Sequence, residues 1–176
     1  MKVIVFGGTG TVGRLVVDQA VQQGHQVTVF TRDAATVPRS EPGRTVVEGN
    51  VFDAEALAPV VAGHDAVVVA LGAGSRGGVR ARGTAAVIAA MQASGVRRLI
   101  VQSTLGVGDS RGNLTFFWKY VMFGVLLRRA YADHVEQERL TRASGLDWTI
   151  VRPAAFTDGP RTGKYRAASG PTTGPV

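Results

Sequence analysis

A glycine-rich turn near the N-terminus constrains the fold of this chain more than any other feature. Residues 3–6 are β-branched or aromatic and predict a buried strand that ends at Gly7. A helical pattern of apolar residues begins at Val12, directly after the turn. The glycines are spaced Gly7-x-x-Gly10-x-x-Gly13. Backbone N–H groups and the positive end of the helix dipole then point at one place, which is an anion-binding arrangement.

The turn belongs to a complete βαβ unit. A second strand pattern at 26–31 follows Gly24, which is typical of a helix C-terminus. The whole unit has about the 30 residues expected of one βαβ. We therefore predict that the pyrophosphate of a dinucleotide binds here, contacted by Gly7, Thr9, Gly10, Thr11, Val12 and Gly13. The spacing differs from the G-x-G-x-x-G fingerprint, so a purely structural glycine turn is the alternative.

Strand and helix patterns alternate along most of the chain. Strands are predicted at 2–6, 26–31, 45–47, 66–71, 99–103 and 148–151, and helices at 12–23, 54–62, 84–94 and about 132–144. Glycines 24, 63, 95 and 145 each follow a helix pattern and precede a strand pattern. This alternation predicts one α/β domain over residues 1–176, a doubly wound parallel Rossmann sheet with strand order 3-2-1-4-5-6.

Composition excludes several classes of function. The chain has no cysteine, so thiolate catalysis and cysteine–metal sites are excluded. Its three histidines, His25, His64 and His134, show no ligand spacing, and we predict no metal site. The net charge of +7 is spread over separate elements, so we predict no nucleic-acid binding. No signal peptide precedes the first strand, and a cytoplasmic location is expected.

The tip of the second strand predicts the cofactor. It reads Thr31-Arg32-Asp33, and an arginine at this place is typical of enzymes that hold the 2′-phosphate of NADP(H). Asp33 follows the arginine and is better placed as a turn or cap residue than as a ligand of the ribose in NAD. We predict NADP(H) as the cofactor. A solvated surface charge is the alternative for Arg32.

Other strand ends supply the remaining candidate site residues. Those expected along the cofactor are Asn50, Val51, Leu71, Gly72 and Ser103, and Ser103 and Thr104 are the candidate catalytic pair. A structural role for these two residues, as caps at the end of the strand, is an equally good interpretation.

Two stretches interrupt the alternation. Residues 72–83 hold five glycines and three arginines after the fourth strand, at the edge where ligands bind in such sheets. Residues 113–131 are rich in aromatic side chains, but their apolar part is too short to span a bilayer and contains Lys119. This stretch is interpreted as a helix covering the sheet, as a wall for a flat aromatic substrate, or as a subunit or membrane contact.

The chain resembles the atypical short-chain dehydrogenases/reductases of the NAD(P)-binding group that includes the NmrA-like proteins. It is most similar to the biliverdin reductase B/flavin reductase type. The resemblance rests on residues 6–13, 29–33, 49–51, 65–69, the pair Asp133-His134, and residues 144–153.

This resemblance implies NADPH bound along the strand ends and hydride transfer to a small aromatic or conjugated acceptor such as a flavin, quinone or tetrapyrrole. Pro153 and Ala154 would border the nicotinamide carboxamide. Phe117, Tyr120 and Phe156 would offer stacking surface to the acceptor.

The chain also departs from that family. Asn50 stands where an aspartate is usual. The Tyr-x-x-x-Lys pair is absent, because Val135 follows Tyr131 and Gly124 follows Tyr120 by four positions. The histidine of the flavin reductase type after the Pro153 position is replaced by alanine or phenylalanine. Relatives continue beyond residue 176 with a further helix and strand, so this chain is expected to lack them.

Three functions are compared on these grounds. The first is an NADPH-dependent reductase, in which positioning matters more than a strong protein acid. The second is a non-catalytic NADP(H)-sensing regulator of the NmrA-like type, with residues 113–131 in its partner surface. The third, an epimerase of nucleotide-linked sugars, needs a larger substrate domain than this chain supplies.

Overall fold

The computed structural model describes residues 1–37 and 42–154, together with residues 156, 163 and 167. Six strands and four α-helices alternate within this part of the chain. The strands are β1 (Lys2–Phe6), β2 (Gln26–Thr31), β3 (Arg44–Glu48), β4 (Ala66–Val69), β5 (Arg98–Gln102) and β6 (Asp147–Val151). The helices are α1 (Thr11–Gln22), α2 (Ala54–Val61), α3 (Arg80–Ser94) and α4 (Arg128–Ala143).

The six strands form one parallel sheet in the order β3-β2-β1-β4-β5-β6. This confirms the predicted doubly wound topology. In the central strand, Phe6 lies between Phe30 of β2 and Val69 of β4. Successive strands are added in one direction from β1 to β3 and in the opposite direction from β4 to β6, so the strand order reverses between β1 and β4. Ligands of such sheets bind at the carboxyl ends of the strands on either side of this point.

Alternate residues of β1 build the two sides of the core, because successive side chains of a strand point to opposite faces. Ile4 and Phe6 belong to the cluster that includes Leu57 of α2 and Met91 of α3. Val3 and Val5 belong to the cluster that includes Val17 of α1. Both faces are therefore covered, as a parallel sheet requires.

Helix α3 begins at Arg80, four residues before the start that the apolar pattern predicts. The reason lies outside the helix. The carboxylate of Asp133, on α4, accepts hydrogen bonds from the backbone N–H groups of Arg80 and Ala81, at 3.0 Å each. A cap supplied from a distant part of the chain leaves no local signal at the helix start.

Helix α4 likewise begins four residues early, at Arg128, after a π-helical stretch over Phe117–Leu126. We call Phe117–Leu126 the aromatic segment. None of its residues is buried, and Phe117, Tyr120 and Val125 are more than half exposed. The interpretation of this stretch as a helix covering the sheet is therefore wrong. No helix in the described part of the chain is long and apolar enough to cross a membrane.

A buried ion pair ties the edge strand β6 to α4. Arg152, directly after β6, binds both carboxylate oxygens of Glu138 at 2.8 Å, and Glu138 is fully buried. Arg152 also binds Asp109, and Arg142 binds Glu138 at 2.9 Å. Burial opposes the charge of Glu138, but its hydrogen bonds, first of all those from Arg152, outweigh burial and hold its pKa below the usual value. Arg152 is thus an ion-pair residue at the end of the sheet.

Replacing Arg152 by methionine is expected to lower the free energy of unfolding by about 3 kcal/mol at neutral pH, because Glu138 stays buried with one cation fewer. Because the folded-state pKa of Glu138 is lowered, the stability from this ionised pair is present above the ordinary glutamate pKa and is lost as pH falls through the folded value. Urea unfolding at neutral pH and at pH 4 measures both effects. The control is Arg139→Met, which breaks an exposed pair with Glu136 on the same helix. Equal losses in both variants would contradict the assignment.

Candidate functional site

The glycine turn between β1 and α1 brings the backbone of α1 into close contact with the backbone of the turn itself. A Cβ atom on Gly13 would lie 2.1 Å from the carbonyl oxygen of Gly7. Gly7 has a φ of +87°, and a Cβ there would lie 2.4 Å from the carbonyl oxygen of Ala70, just after β4. Any side chain at position 7 or 13 would therefore push α1 or the end of β4 away from the turn.

The N-terminus of α1 is free to bind an anion. Gly10 precedes the helix, and no side chain among the described residues caps it. The backbone N–H of Gly10 donates to the carbonyl of Gly7 at 3.0 Å, which closes the turn, whereas Thr9 and Thr11 are exposed. The first N–H groups of a helix need a partner, and the phosphates of a dinucleotide supply it. The predicted residues thus form a cradle that fits a pyrophosphate.

At the tip of β2, the structure separates the roles of two neighbouring charges. The carboxylate of Asp33 accepts a hydrogen bond from the backbone N–H of Ala35 at 2.9 Å, so it caps the 3₁₀ turn Ala34–Thr36. This confirms the prediction that Asp33 is a cap residue. Arg32 is exposed, with no hydrogen bond or ion pair to the described residues. Its guanidinium is available for a phosphate, and that role stays a prediction.

The turns after β3 and β4 meet on α3. The Cδ1 of Leu71 would lie 2.4 Å from a Cβ on Gly83, and the side chain of Val51 lies 3.4 Å from the same point. Glycine at position 83 therefore lets these two predicted cofactor residues pack side by side. The side-chain oxygen of Asn50 accepts a hydrogen bond from the backbone N–H of Phe52 at 3.1 Å, which leaves its amide nitrogen for a ligand.

The two candidate catalytic residues lie in different environments. Ser103 is 1% exposed, and its hydroxyl lies beside Glu138 without an aligned hydrogen bond to any described residue. Thr104 is half-buried, and its hydroxyl makes only a 3.4 Å contact with the carbonyl of Leu105. Thr104 is therefore the more accessible of the two hydroxyls, and it lies just after the carboxyl end of β5. A catalytic role for either stays a prediction.

The ends of β5 and β6 are joined by backbone hydrogen bonds. Ser103 donates to Val151 at 2.8 Å, and Leu105 donates to Pro153 at 2.9 Å. Pro153 and Ala154 are half-buried at this edge, where we expect the nicotinamide half of the cofactor. Phe156 is exposed, and its neighbours 155 and 157–162 lie outside the described residues, as do residues 168–176.

The aromatic segment is attached to the loop after β5. The ring of Phe123 stacks on Tyr131 with centroids 5.0 Å apart, and the hydroxyl of Tyr131 donates to the carbonyl of Gly106 at 2.9 Å. The predicted substrate residues Phe117 and Tyr120 are exposed on this segment. The aromatic segment is thus joined, through Tyr131, to the loop that follows Thr104.

A polar cluster between α3 and α4 was missed by sequence reasoning. Gln137 of α4 donates to the hydroxyl of Thr84 of α3 at 3.0 Å, and both side chains are fully buried. His134 is also buried. Burial, and then the nearby charge of Arg80, lower its pKa to about 4, so it is neutral at pH 7. The pair Asp133-His134 was noted only as part of a resemblance, and no periodicity pointed to Arg80.

Replacing Gly13 by alanine is expected to weaken NADPH binding at least tenfold, because the new methyl group forces α1 away from the turn that holds the phosphates. Calorimetric titration with NADPH measures the affinity. Gly112→Ala is the control, because a Cβ there meets no atom within 4 Å. Unchanged affinity in Gly13→Ala would remove the glycine turn from the site.

Comparison with known proteins agrees with this geometry. A family model described as NAD(P)H-binding matches residues 7–175. The photosystem II assembly factor Ycf39 of Synechocystis sp. is 36% identical in an alignment of 171 positions that covers 90% of this chain and 46% of that protein. A 3-diazoavenalumate denitrifying reductase of Streptomyces sp. is 33% identical in an alignment of 186 positions that covers 94% of this chain and 59% of that protein. The chain spans about half the length of these curated relatives.

Solved structures share the fold. ChuY, an anaerobilin reductase from Escherichia coli O157:H7, has a TM-score of 0.79 at 25% identity, covering 100% of this chain and 84% of its own. The oxidoreductase ylbE from Lactococcus lactis has a TM-score of 0.78 at 24% identity, covering 93% of this chain and 73% of its own. The expected class, an NAD(P)H-dependent oxidoreductase, agrees with the names of these neighbours. This chain has the Rossmann sheet of these proteins and belongs to the NAD(P)H-binding family.

Proposed function

We propose that this chain is an NADPH-dependent reductase that transfers hydride to a flat conjugated acceptor such as a flavin, a quinone or a tetrapyrrole. The observation that carries the proposal is the aromatic segment beside the loop after β5. That loop lies at the carboxyl edge of the sheet, where the nicotinamide end of the cofactor is expected, and Tyr131 joins the segment to it. Phe117 and Tyr120 there present ring surface on which a planar acceptor can stack.

The hydrogen bonds of the described tyrosines support an acceptor that takes its protons from solvent. Tyr131 donates its hydroxyl hydrogen to the carbonyl of Gly106, so it is engaged in holding the loop. Tyr120 is half exposed and packs against Phe116, with ring centroids 4.7 Å apart. Neither is held as a buried acid of the kind that carbonyl reduction needs.

NADPH supplies the hydride, and the residues of this chain position the reactants. The glycine turn holds the pyrophosphate, Arg32 holds the 2′-phosphate, and Pro153 and Ala154 border the nicotinamide. Thr104 contacts the nicotinamide or the acceptor through its hydroxyl. The aromatic segment excludes water from the acceptor, so the contribution of the protein is orientation and exclusion of solvent.

The names of relatives favour the same class of reaction. ChuY, at 25% identity, is described as an anaerobilin reductase. The Streptomyces relative, at 33% identity, is also named a reductase. Two reductases with different substrates on one fold are expected where loops outside the cofactor cradle choose the acceptor.

A non-catalytic NADP(H)-sensing protein of the NmrA-like type is the second candidate. Two observations favour it. The aromatic segment exposes more apolar surface than scattered side chains do, as a partner-binding surface would. The relative at 36% identity is named an assembly factor.

The reductase is tested by following NADPH oxidation at 340 nm with FMN, dichlorophenolindophenol or biliverdin as acceptor. Turnover above background with at least one acceptor is expected, together with its loss in Gly13→Ala and its retention in Gly112→Ala. Tight binding of both NADP⁺ and NADPH without turnover of any acceptor would reject the reductase and favour the sensor.

Replacing Arg32 by alanine is expected to weaken NADPH binding about tenfold or more and to leave NADH binding almost unchanged. The reason is that only NADPH carries the 2′-phosphate that a guanidinium can grip by two parallel hydrogen bonds. Calorimetric titration of the wild type and the variant with both dinucleotides separates the two effects. Equal losses for NADPH and NADH would remove Arg32 from the phosphate site.

A further inference from the structure

A buried guanidinium lies over the carboxyl end of β4. Arg80 is the first residue of α3, and its Nη2 would be only 3.2 Å from a Cβ on Gly72. Gly72 comes two residues after Ala70, whose carbonyl packs against Gly7 of the glycine turn. Arg80 therefore stands at the same edge of the sheet as the phosphate cradle, on the neighbouring strand.

This guanidinium has unused hydrogen-bond donors. The side chain of Arg80 is 15% exposed, and its Nη1 is buried with no hydrogen-bond partner among the described residues. The nearest carboxylate, Asp133, lies 3.9 Å from Nη1. Both oxygens of Asp133 already accept hydrogen bonds from the backbone of α3. Asp133 thus offsets part of the charge of Arg80 but leaves its donors unsatisfied.

Three other buried side-chain atoms, Ser103 Oγ, His134 Nδ1 and Gln137 Oε1, also lack an aligned hydrogen bond among the described residues. Each of them has a polar neighbour: Ser103 lies beside the carboxylate of Glu138, and His134 lies beside the side chain of Gln137. Nη1 of Arg80 has only Asp133, at 3.9 Å. Buried polar atoms are nearly always satisfied by protein, water or ligand. Nη1 of Arg80 is therefore the donor that is left for a polar group of a ligand.

The chemistry of that group follows from the charge. A guanidinium removed from water with its donors unpaired is costly, and an anionic oxygen compensates this cost best. His134 is neutral at pH 7, because burial lowers its pKa to about 4, so the positive charge beside it is that of Arg80. We propose that Arg80 is a binding residue that holds an anionic oxygen, a phosphate or a carboxylate, at the carboxyl end of β4.

Two molecules can supply such an oxygen. One is the dinucleotide, whose phosphates are held by the neighbouring turn. The other is an acceptor with a phosphate or carboxylate, and this second source rests on the proposed reductase activity. The two sources predict different effects of the same substitution.

The experiment compares Arg80→Met with Arg97→Met. Arg97 is exposed just before β5, at the opposite edge of the sheet, so its replacement removes the same charge away from the site. Affinities for NADP⁺ and NADPH are measured by calorimetry. The KM values for FMN and for riboflavin, which lacks the phosphate, are measured at saturating NADPH, and thermal melting monitors folding.

A role in binding predicts that Arg80→Met still folds, with a somewhat lower melting temperature than the wild type, because buried Asp133 loses its cation but keeps its two hydrogen bonds from the backbone of α3. If the dinucleotide supplies the oxygen, the Kd for NADP⁺ and NADPH rises at least tenfold. If the acceptor supplies it, those Kd values stay the same, the KM for FMN rises at least tenfold, and the KM for riboflavin does not. Arg80→Lys, which keeps the charge but not the planar fork, is expected to lie between the two.

The proposal is overturned if neither the Kd values nor the ratio of the FMN and riboflavin KM values differs from Arg97→Met by more than about twofold. It is also overturned if both Arg80→Met and Arg80→Lys fail to fold, since Arg80 would then be a structural residue. Should the wild type reduce no acceptor, the reductase proposal fails by itself. The calorimetric comparison then decides the role of Arg80 without it.

Discussion

The contact between the start of α1 and the turn before it determines most of what this fold can do. At position 13 the helix backbone comes so close to the carbonyl of Gly7 that only hydrogen fits between them. Gly7 in turn packs against Ala70, which fixes the end of β4 relative to β1. These two contacts set the width of the crevice between the central strands. The uncapped N–H groups of α1 lie beside that crevice, which is why phosphate binding and the sheet topology cannot be separated here.

The interior between α3 and α4 is unusually polar for a helix pair that covers a sheet. The buried face of α4 carries Asp133, His134, Gln137, Glu138 and Thr141. Three of them have definite structural partners: the N-terminus of α3, the hydroxyl of Thr84 and the guanidinium of Arg152. Such partners align the two helices with the end of β6 more specifically than apolar packing would, because hydrogen bonds demand both distance and direction. Thr141 donates its hydroxyl hydrogen to the backbone carbonyl of Gln137 at 2.8 Å, within α4 itself.

The sequence predicted those parts of the molecule whose signals are local. The strand order, the glycine turn and the cap at Asp33 follow from patterns within a few residues, and the structure agrees with them. The starts of α3 and α4 were placed four residues late. At α3 the cap comes from Asp133, more than fifty residues away in the sequence. At α4 the helix follows directly on the π-helical stretch, and apolar periodicity does not reveal that change of helix type.

The residues proposed for the cofactor were easier to locate from the sequence than those proposed for the acceptor, because their signals are local. Val51 and Leu71 end strands, and strand ends of a known topology meet at a known edge. Their contact over Gly83 needed only the correct strand order. Arg80 has no such signature, because it sits in a glycine-rich loop in sequence and becomes buried only when α4 packs against it. The sequence shows that Tyr131 is present, but its hydrogen bond to Gly106 depends on the conformation of the loop after β5, which residue spacing does not predict.

The charged residues near the aromatic segment affect the rate at which charged molecules associate with it. From residue 110 to residue 132 the chain carries Arg111, Lys119, Arg128 and Arg129 and no aspartate or glutamate. A stretch with this charge attracts anionic molecules before contact and repels cationic ones. At physiological ionic strength this attraction extends about 8 Å, roughly one Debye length. An anionic molecule is therefore expected to reach the aromatic segment faster than a cationic one of the same size.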